Sequence, residues 1–135
     1  MVKVPVEIRE VFDMQRVIPL GTASASGVPN TAYIGSWWWE DPETILVVDN
    51  FFKKTRMNLE ENPAASLLAW SRKRRESYQM KCSAAIRTEG PEYEKAFKRE
   101  RSRKDFHYPC KAVVLLKVEE VYRSWYGEGA GDRVV

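Results

Sequence analysis

The sequence predicts a mainly β fold, a six-stranded, largely antiparallel β-barrel with short helices over its openings. Three observations lead there. Apolar, β-branched runs recur along the chain and are separated mostly by turn signals, so hairpins join them. Helical periodicity is confined to three short segments. The third observation is the stretch 45–70, ILVVDNFFKKTRMNLEENPAASLLAW, in which a strand, a helix opening on Lys53, Lys54 and Thr55, and another strand follow one another.

Val6 to Gln15 carries Ile8, Val11 and Phe12 at i, i+3, i+4 after Pro5, the mark of a short amphipathic helix. Val17 to Ala25 reads as the first strand, and Ser26-Gly27 turns it into a second from Asn30 to Trp39. Asp41-Pro42-Glu43 is the next turn, before a β-branched strand from Thr44 to Val48. The helix from Lys53 runs to about Glu61, where Glu60-Glu61-Asn62-Pro63 stops it. Ala64 to Ser71 is the fourth strand, and the polar RKRR connection leads to a long fifth from about Ser77 to Thr88. Thr88-Glu89-Gly90-Pro91 starts a helix that lines Tyr93, Ala96 and Phe97 along one face to about Ser102. Lys111 to Trp125, rich in valine and leucine, closes the barrel.

A chain of 135 residues suits a single domain, 1–135, with one sizeable core. At 44% hydrophobic and 30% charged it is an ordinary globular composition, which argues against disorder. No apolar run approaches the length of a membrane span, and the first residues lack a signal-peptide core, so the chain reads as soluble and cytoplasmic, with no membrane partner. Cys82 and Cys110 lie far apart in or beside apolar runs and read as buried small hydrophobes. The lone His107 has no partners at metal-ligand spacing, so no metal site is expected.

Net charge is only +3, but basic residues cluster at 53–56, 72–75 and 98–104. Clusters inside a near-balanced chain suit a discrete anionic ligand better than a long nucleic-acid track. The first cluster is the informative one. Lys53, Lys54 and Thr55 stand at a helix N-terminus, where free N–H groups and the dipole favour an anion. Two cations there oppose the dipole unless a phosphate lies between them. Trp37-Trp38-Trp39 would send large rings to both faces of one strand, so both faces need cover, and a subunit interface is one way to provide it.

SGVPNTAYIG at 26–35, ILVVDNFFKKT at 45–55, NLEENPAASLLAW at 58–70 and SAAIRTEGPEYE at 83–94 together resemble the FMN-binding split barrels, the group that includes pyridoxamine 5′-phosphate oxidase. The likeness runs from about Val11 to Arg123 and is nearest to the small FMN-binding proteins of this size. It implies FMN held at a homodimer interface, with Lys54 and Thr55 on the phosphate and Lys53 beside them. It implies further that Asn30, Thr31, Ala32 and Tyr33 line the ribityl chain and ring edge, and that Val48, Asp49 and Asn50 approach the isoalloxazine. Gln79 would reach the phosphate or ring across the dimer, and Trp125 would neighbour the ring.

The function implied is that of an oxidoreductase or electron-transfer flavoprotein working with a small-molecule or protein redox partner. No convincing acid–base pair or nucleophile stands out; Asp49 is the one carboxylate placed to tune the ring. Pyridoxamine-phosphate oxidation itself is not expected, because YRSWYGEGAGDRVV lacks the arginine–histidine elements such enzymes carry at this end. Relatives that use a deazaflavin or haem set two variants on the cofactor, the haem one weakly served by His107. A flavin carrier without turnover is the main alternative. A nucleic-acid-binding barrel using the RKRR and KRERSRK runs is another, but it leaves the lysine–threonine helix start unexplained.

Overall fold

The computed structural model describes residues 1–104 and 107–135. The elements are α1 (Val6–Gln15), β1 (Ile18–Ala23), β2 (Pro29–Ile34), β3 (Trp37–Asp41), β4 (Thr44–Asp49), α2 (Lys54–Glu61), β5 (Ala64–Ser71), β6 (Glu76–Arg87), α3 (Pro91–Arg101) and β7 (Ala112–Arg123). The strands form one antiparallel sheet in the order β2-β1-β5-β6-β7-β4-β3, curled into a barrel that stays open between β2 and β3.

Seven strands replace the six expected because the stretch from Asn30 to Trp39 is not continuous. It breaks at Gly35 and Ser36, where β2 leaves its partner β1 and the chain crosses to the opposite edge to pair β3 with β4. At the crossing the Ser36 carbonyl accepts the Val48 N–H at 2.9 Å, tying it to β4. The opening of the barrel is therefore bridged by two residues.

Burial sorts the side chains into two apolar clusters. All six residues of β4 are buried, so it has a covered face on each side. Ile45 and Val47 join Leu20, Leu67, Met80 and Leu116 inside the barrel, under Val11 and Phe12 of α1. Leu46 and Val48 join Val113 and Leu115 on the outer face, where α3 covers them with Ala96, Tyr93 and Phe97.

The three tryptophans alternate as a strand demands, but the chain covers them itself, without need of a second subunit. Trp37 is fully buried in the barrel, Trp38 lies under α3 with the Arg99 guanidinium 4.3 Å above its ring, and Trp39 meets Phe12 edge-on at 6.4 Å. Among the described residues no helix is long and apolar enough to cross a membrane.

Both cysteines are buried in these clusters as free thiols. Burial pushes Cys82 up to about 12 and Cys110 up to about 11. A raised thiol pKa leaves almost no thiolate at pH 8, and the thiolate is the reactive form. Native protein at pH 8 is therefore expected to react with no thiol reagent on the minutes scale, and to titrate both cysteines once denatured. Rapid modification of the native form would contradict the burial.

Candidate functional site

The site forms where the barrel is open. β4 ends at Asp49, whose carboxylate is fully buried and folds the chain back on itself. Its Oδ1 accepts the Phe52 N–H at 3.0 Å, and its Oδ2 takes Arg56 Nη1 at 2.9 Å. Lys111 of the loop before β7 closes the same corner, with Nζ 3.6 Å from Asp49 Oδ1 and donating to the Phe52 carbonyl at 2.9 Å. α2 starts directly after this corner. Its N-cap, Lys53, makes no side-chain capping bond, so the first-turn N–H groups have no intrahelical acceptor.

That helix start lines a cavity of about 690 Å³, within the roughly 300–1,000 Å³ usual for small-molecule sites. Lys53, Lys54 and Thr55 form one end, β2 from Asn30 through Ile34 one side, and Val48, Asn50, Phe51 and Phe52 the approach from β4. Val17, Gly35 and Ser36 complete the edge, and Arg103 and Tyr108 arrive from beyond α3. Among the described residues that line it, three are cationic and none is a carboxylate. Among the described lining residues the charge is therefore of one sign, which suits an anionic ligand.

Hydrogen bonds hold the lining in register. Asn30 Nδ2 donates to Thr55 Oγ1 at 3.1 Å, joining β2 to α2. Asn50 Oδ1 accepts the Cys110 N–H at 2.9 Å and its Nδ2 donates to Ser36 Oγ at 3.4 Å, joining the end of β4 to the strand crossing. Opposite them the wall is aromatic. Phe51 meets Tyr108 edge-on at 6.0 Å, and the Arg103 guanidinium sits 4.8 Å over the Tyr108 ring. Tyr33 and Phe51 are 77% and 65% exposed, so the mouth presents large rings to whatever enters or covers it.

Nine of the twelve expected residues thus meet in one cavity: Asn30, Thr31, Ala32, Tyr33, Val48, Asn50, Lys53, Lys54 and Thr55. Asp49 is not among the residues that line the cavity; its carboxylate is engaged by Arg56, Lys111 and the Phe52 amide behind the lining. Gln79 lies on β6 between Leu68 and Tyr122, away from the cavity. Trp125 stacks between Trp70 and Tyr126, at 6.5 and 5.2 Å, beside a separate cleft of about 220 Å³ that includes Arg75, Tyr78 and Arg123.

Arg103 and Tyr108 line the cavity without being among the twelve expected residues. Arg103 belongs to the third basic run, which gave a signal, but Tyr108 follows His107 in a stretch with no periodicity to place it. His107 itself is exposed and does not line the cavity.

The sequence model of the pyridoxamine 5′-phosphate oxidase family matches residues 4–124. An uncharacterized protein of Methanocaldococcus jannaschii is 33% identical over 120 residues, covering 87% of this chain and 79% of that protein. Among solved structures, HupZ of Group A Streptococcus superposes with a TM-score of 0.80 at 28% identity, covering 95% of this chain and 99% of the other. An FMN-binding protein of Syntrophomonas wolfei shares the fold at TM-score 0.74 and 18% identity, over 89% and 85% of the two chains. The same fold extends to an F420 reductase, at TM-score 0.66 and 15% identity over 87% and 98%. It also extends to HutZ, the heme storage protein of Vibrio cholerae, at TM-score 0.62 and 17% identity over 92% and 97%.

Proposed function

The chain belongs to the pyridoxamine 5′-phosphate oxidase family, and on that premise we propose that it is a flavoprotein that holds FMN for hydride or electron transfer. The observation that carries this reading is the cavity itself: a helix start with Lys53, Lys54 and Thr55 in a pocket of about 690 Å³ with no carboxylate among its described lining residues. A phosphate monoester carries close to two negative charges at neutral pH and three acceptor oxygens. The lysine ammonium groups compensate that charge, the Thr55 hydroxyl donates to an oxygen, and the N–H groups of the first turn of α2 add fixed donors. The donor set fits the group.

The remaining lining suits the rest of the molecule. Asn30 and Thr31 offer polar atoms to a hydroxylated chain, while Val48, Phe51 and Tyr33 offer apolar and aromatic surface to a flat ring. Bound FMN would supply the redox chemistry; the chain would orient the ring, shield one face from water and neutralise the phosphate. Its working form in this reading is a soluble, cytoplasmic homodimer, in which Gln79 and Trp125 of a second copy reach the mouth where Tyr33 and Phe51 stand exposed. A deazaflavin ester would use the same phosphate cradle, and a carrier without turnover would use the same site.

The test is the absorption spectrum of the purified protein. Bands of oxidised flavin, with FMN released on denaturation, are expected; deazaflavin or haem bands would reassign the cofactor. A colourless protein that takes up no added FMN would end the proposal. Reduction of the bound flavin by a nicotinamide donor, followed by reoxidation, separates a redox protein from a carrier.

A further inference from the structure

We propose that Thr22 and Asn58, which lie behind the cavity lining, are positioning residues that aim the Thr55 hydroxyl at the cofactor's phosphate; the inference rests on reading the cavity as a phosphate-ester site. Thr22, Thr55 and Asn58 are 7%, 4% and 8% exposed. Asn58 Nδ2 donates to Thr22 Oγ1 at 3.1 Å. Asn30 Nδ2 donates both to Thr22 Oγ1, at 3.4 Å, and to Thr55 Oγ1, at 3.1 Å. Four polar side chains from β1, β2 and α2 thus form one chain of hydrogen bonds that ends at the cavity.

Counting hydrogens gives the chain a direction. An amide nitrogen carries two hydrogens, and both of those on Asn30 go to threonine oxygens. A hydroxyl oxygen has two lone pairs, and Thr22 receives an amide hydrogen on each. In this arrangement the Asn30 amide presents its donor side to both threonines, and Thr22, itself held by Asn58, is the second anchor that keeps it there. Thr55 in turn receives a hydrogen from Asn30, which leaves its own O–H to donate, and the cavity lies in front of it. Accepting one hydrogen bond also strengthens a hydroxyl as a donor, and a hydrogen bond to an ionised acceptor is roughly twice as strong as a neutral one.

The placement of Asn58 argues that the chain has a purpose. Asparagine is a poor helix former, by roughly 0.5–0.7 kcal/mol relative to alanine, yet it sits within an eight-residue helix with its side chain turned inward. A leucine there would favour both the helix and the core.

A purely structural network would affect every ligand of the cavity alike, whereas an aimed hydroxyl matters only to a ligand with a phosphate. The test compares FMN with riboflavin, which keeps the ring and ribityl chain but lacks the phosphate, by fluorescence titration of the apoprotein. Thr22→Val is expected to raise the Kd for FMN about tenfold while moving that for riboflavin less than about twofold, the loss of roughly one hydrogen bond to a charged group. Thr22→Ser restores the FMN value. In a Thr55→Ala background the Thr22→Val change adds less than about twofold, because its route to the phosphate is gone.

Equal losses for the two ligands, an undiminished effect in the Thr55→Ala background, or an unchanged FMN-to-riboflavin ratio would each overturn the inference. If Thr22→Val does not fold, Asn58→Leu is read in the same way. A wild-type protein that binds neither flavin overturns the phosphate-site reading and this inference with it; one that binds FMN while its variants fail to discriminate overturns only the inference.

Discussion

Replacing Lys54 and Thr55 together with alanine is expected to weaken FMN binding by about 10²–10⁴-fold, because each removes a hydrogen bond to a charged group worth roughly 1.5–3 kcal/mol. The two side chains stand at the open N-terminus of α2 and share one end of the cavity. Neither is compensated locally: Lys53 remains, but as a single flexible cation it supplies charge without the hydroxyl donor. The fold should survive. Lys54 is exposed and costs little when truncated, while Thr55 gives up the acceptor for Asn30 and costs about 1 kcal/mol. Riboflavin supplies the control, since its affinity should change by no more than about twofold for a ligand that never reached the phosphate end. Titration of apoprotein with both flavins, alongside the thermal midpoint, separates the two contributions. An FMN affinity equal to that of the wild type would move the phosphate elsewhere in the cavity, with Arg103 the next cation to test.

How much of this was legible before the structure follows from how local each feature is. The cradle at α2 was readable because strand end, basic pair, threonine and helix stop are contiguous, and a helix start presents its amides wherever the helix is placed. The β2 lining was readable through a hairpin signal at Ser26-Gly27, where Gly27 takes φ +89 and fixes the register of β1 against β2. Features that depend on packing between distant segments were not readable. The break at Gly35 and Ser36 arises because β2 and β3 belong to opposite sheet edges, and a two-residue Gly-Ser interruption does not say to which edge the next strand goes. Tyr108 reaches the cavity only because β7 pairs with β4 and draws the preceding loop to the Asp49 corner. The outward face of Trp38 needed no second subunit because α3 folds back over it, and an amphipathic pattern in α3 does not say which sheet face it will cover.

Asp49 shows the same limit from the other side, and its substitution gives the largest expected effect on stability. Asp49→Ala should destabilise the protein by about 3 kcal/mol, the low end of the ~3–5 kcal/mol for removing one partner of a buried ion pair. The low end applies because only the carboxylate is fully buried; Arg56 and Lys111 keep 24% and 45% of their side-chain surface in water and can rehydrate in part. What cannot rehydrate easily is the Phe52 N–H, which loses its acceptor at the corner before α2. For a chain of this length about 3 kcal/mol corresponds to a fall of roughly 10 °C in the thermal midpoint.

Asp49→Asn separates charge from shape. It keeps an acceptor for the Phe52 amide but gives up the ionic partner of Arg56 and Lys111, so it should recover part of the loss, about 1 kcal/mol. Binding should respond as well, because this corner sets the direction in which α2 presents Lys53, Lys54 and Thr55. In the alanine variant FMN affinity is expected to fall while the absorption maximum of bound flavin stays in place, since the carboxylate is fully buried behind the lining and does not line the cavity. A shifted maximum or an altered flavin reduction potential with stability intact would put Asp49 beside the ring after all, as a tuning group.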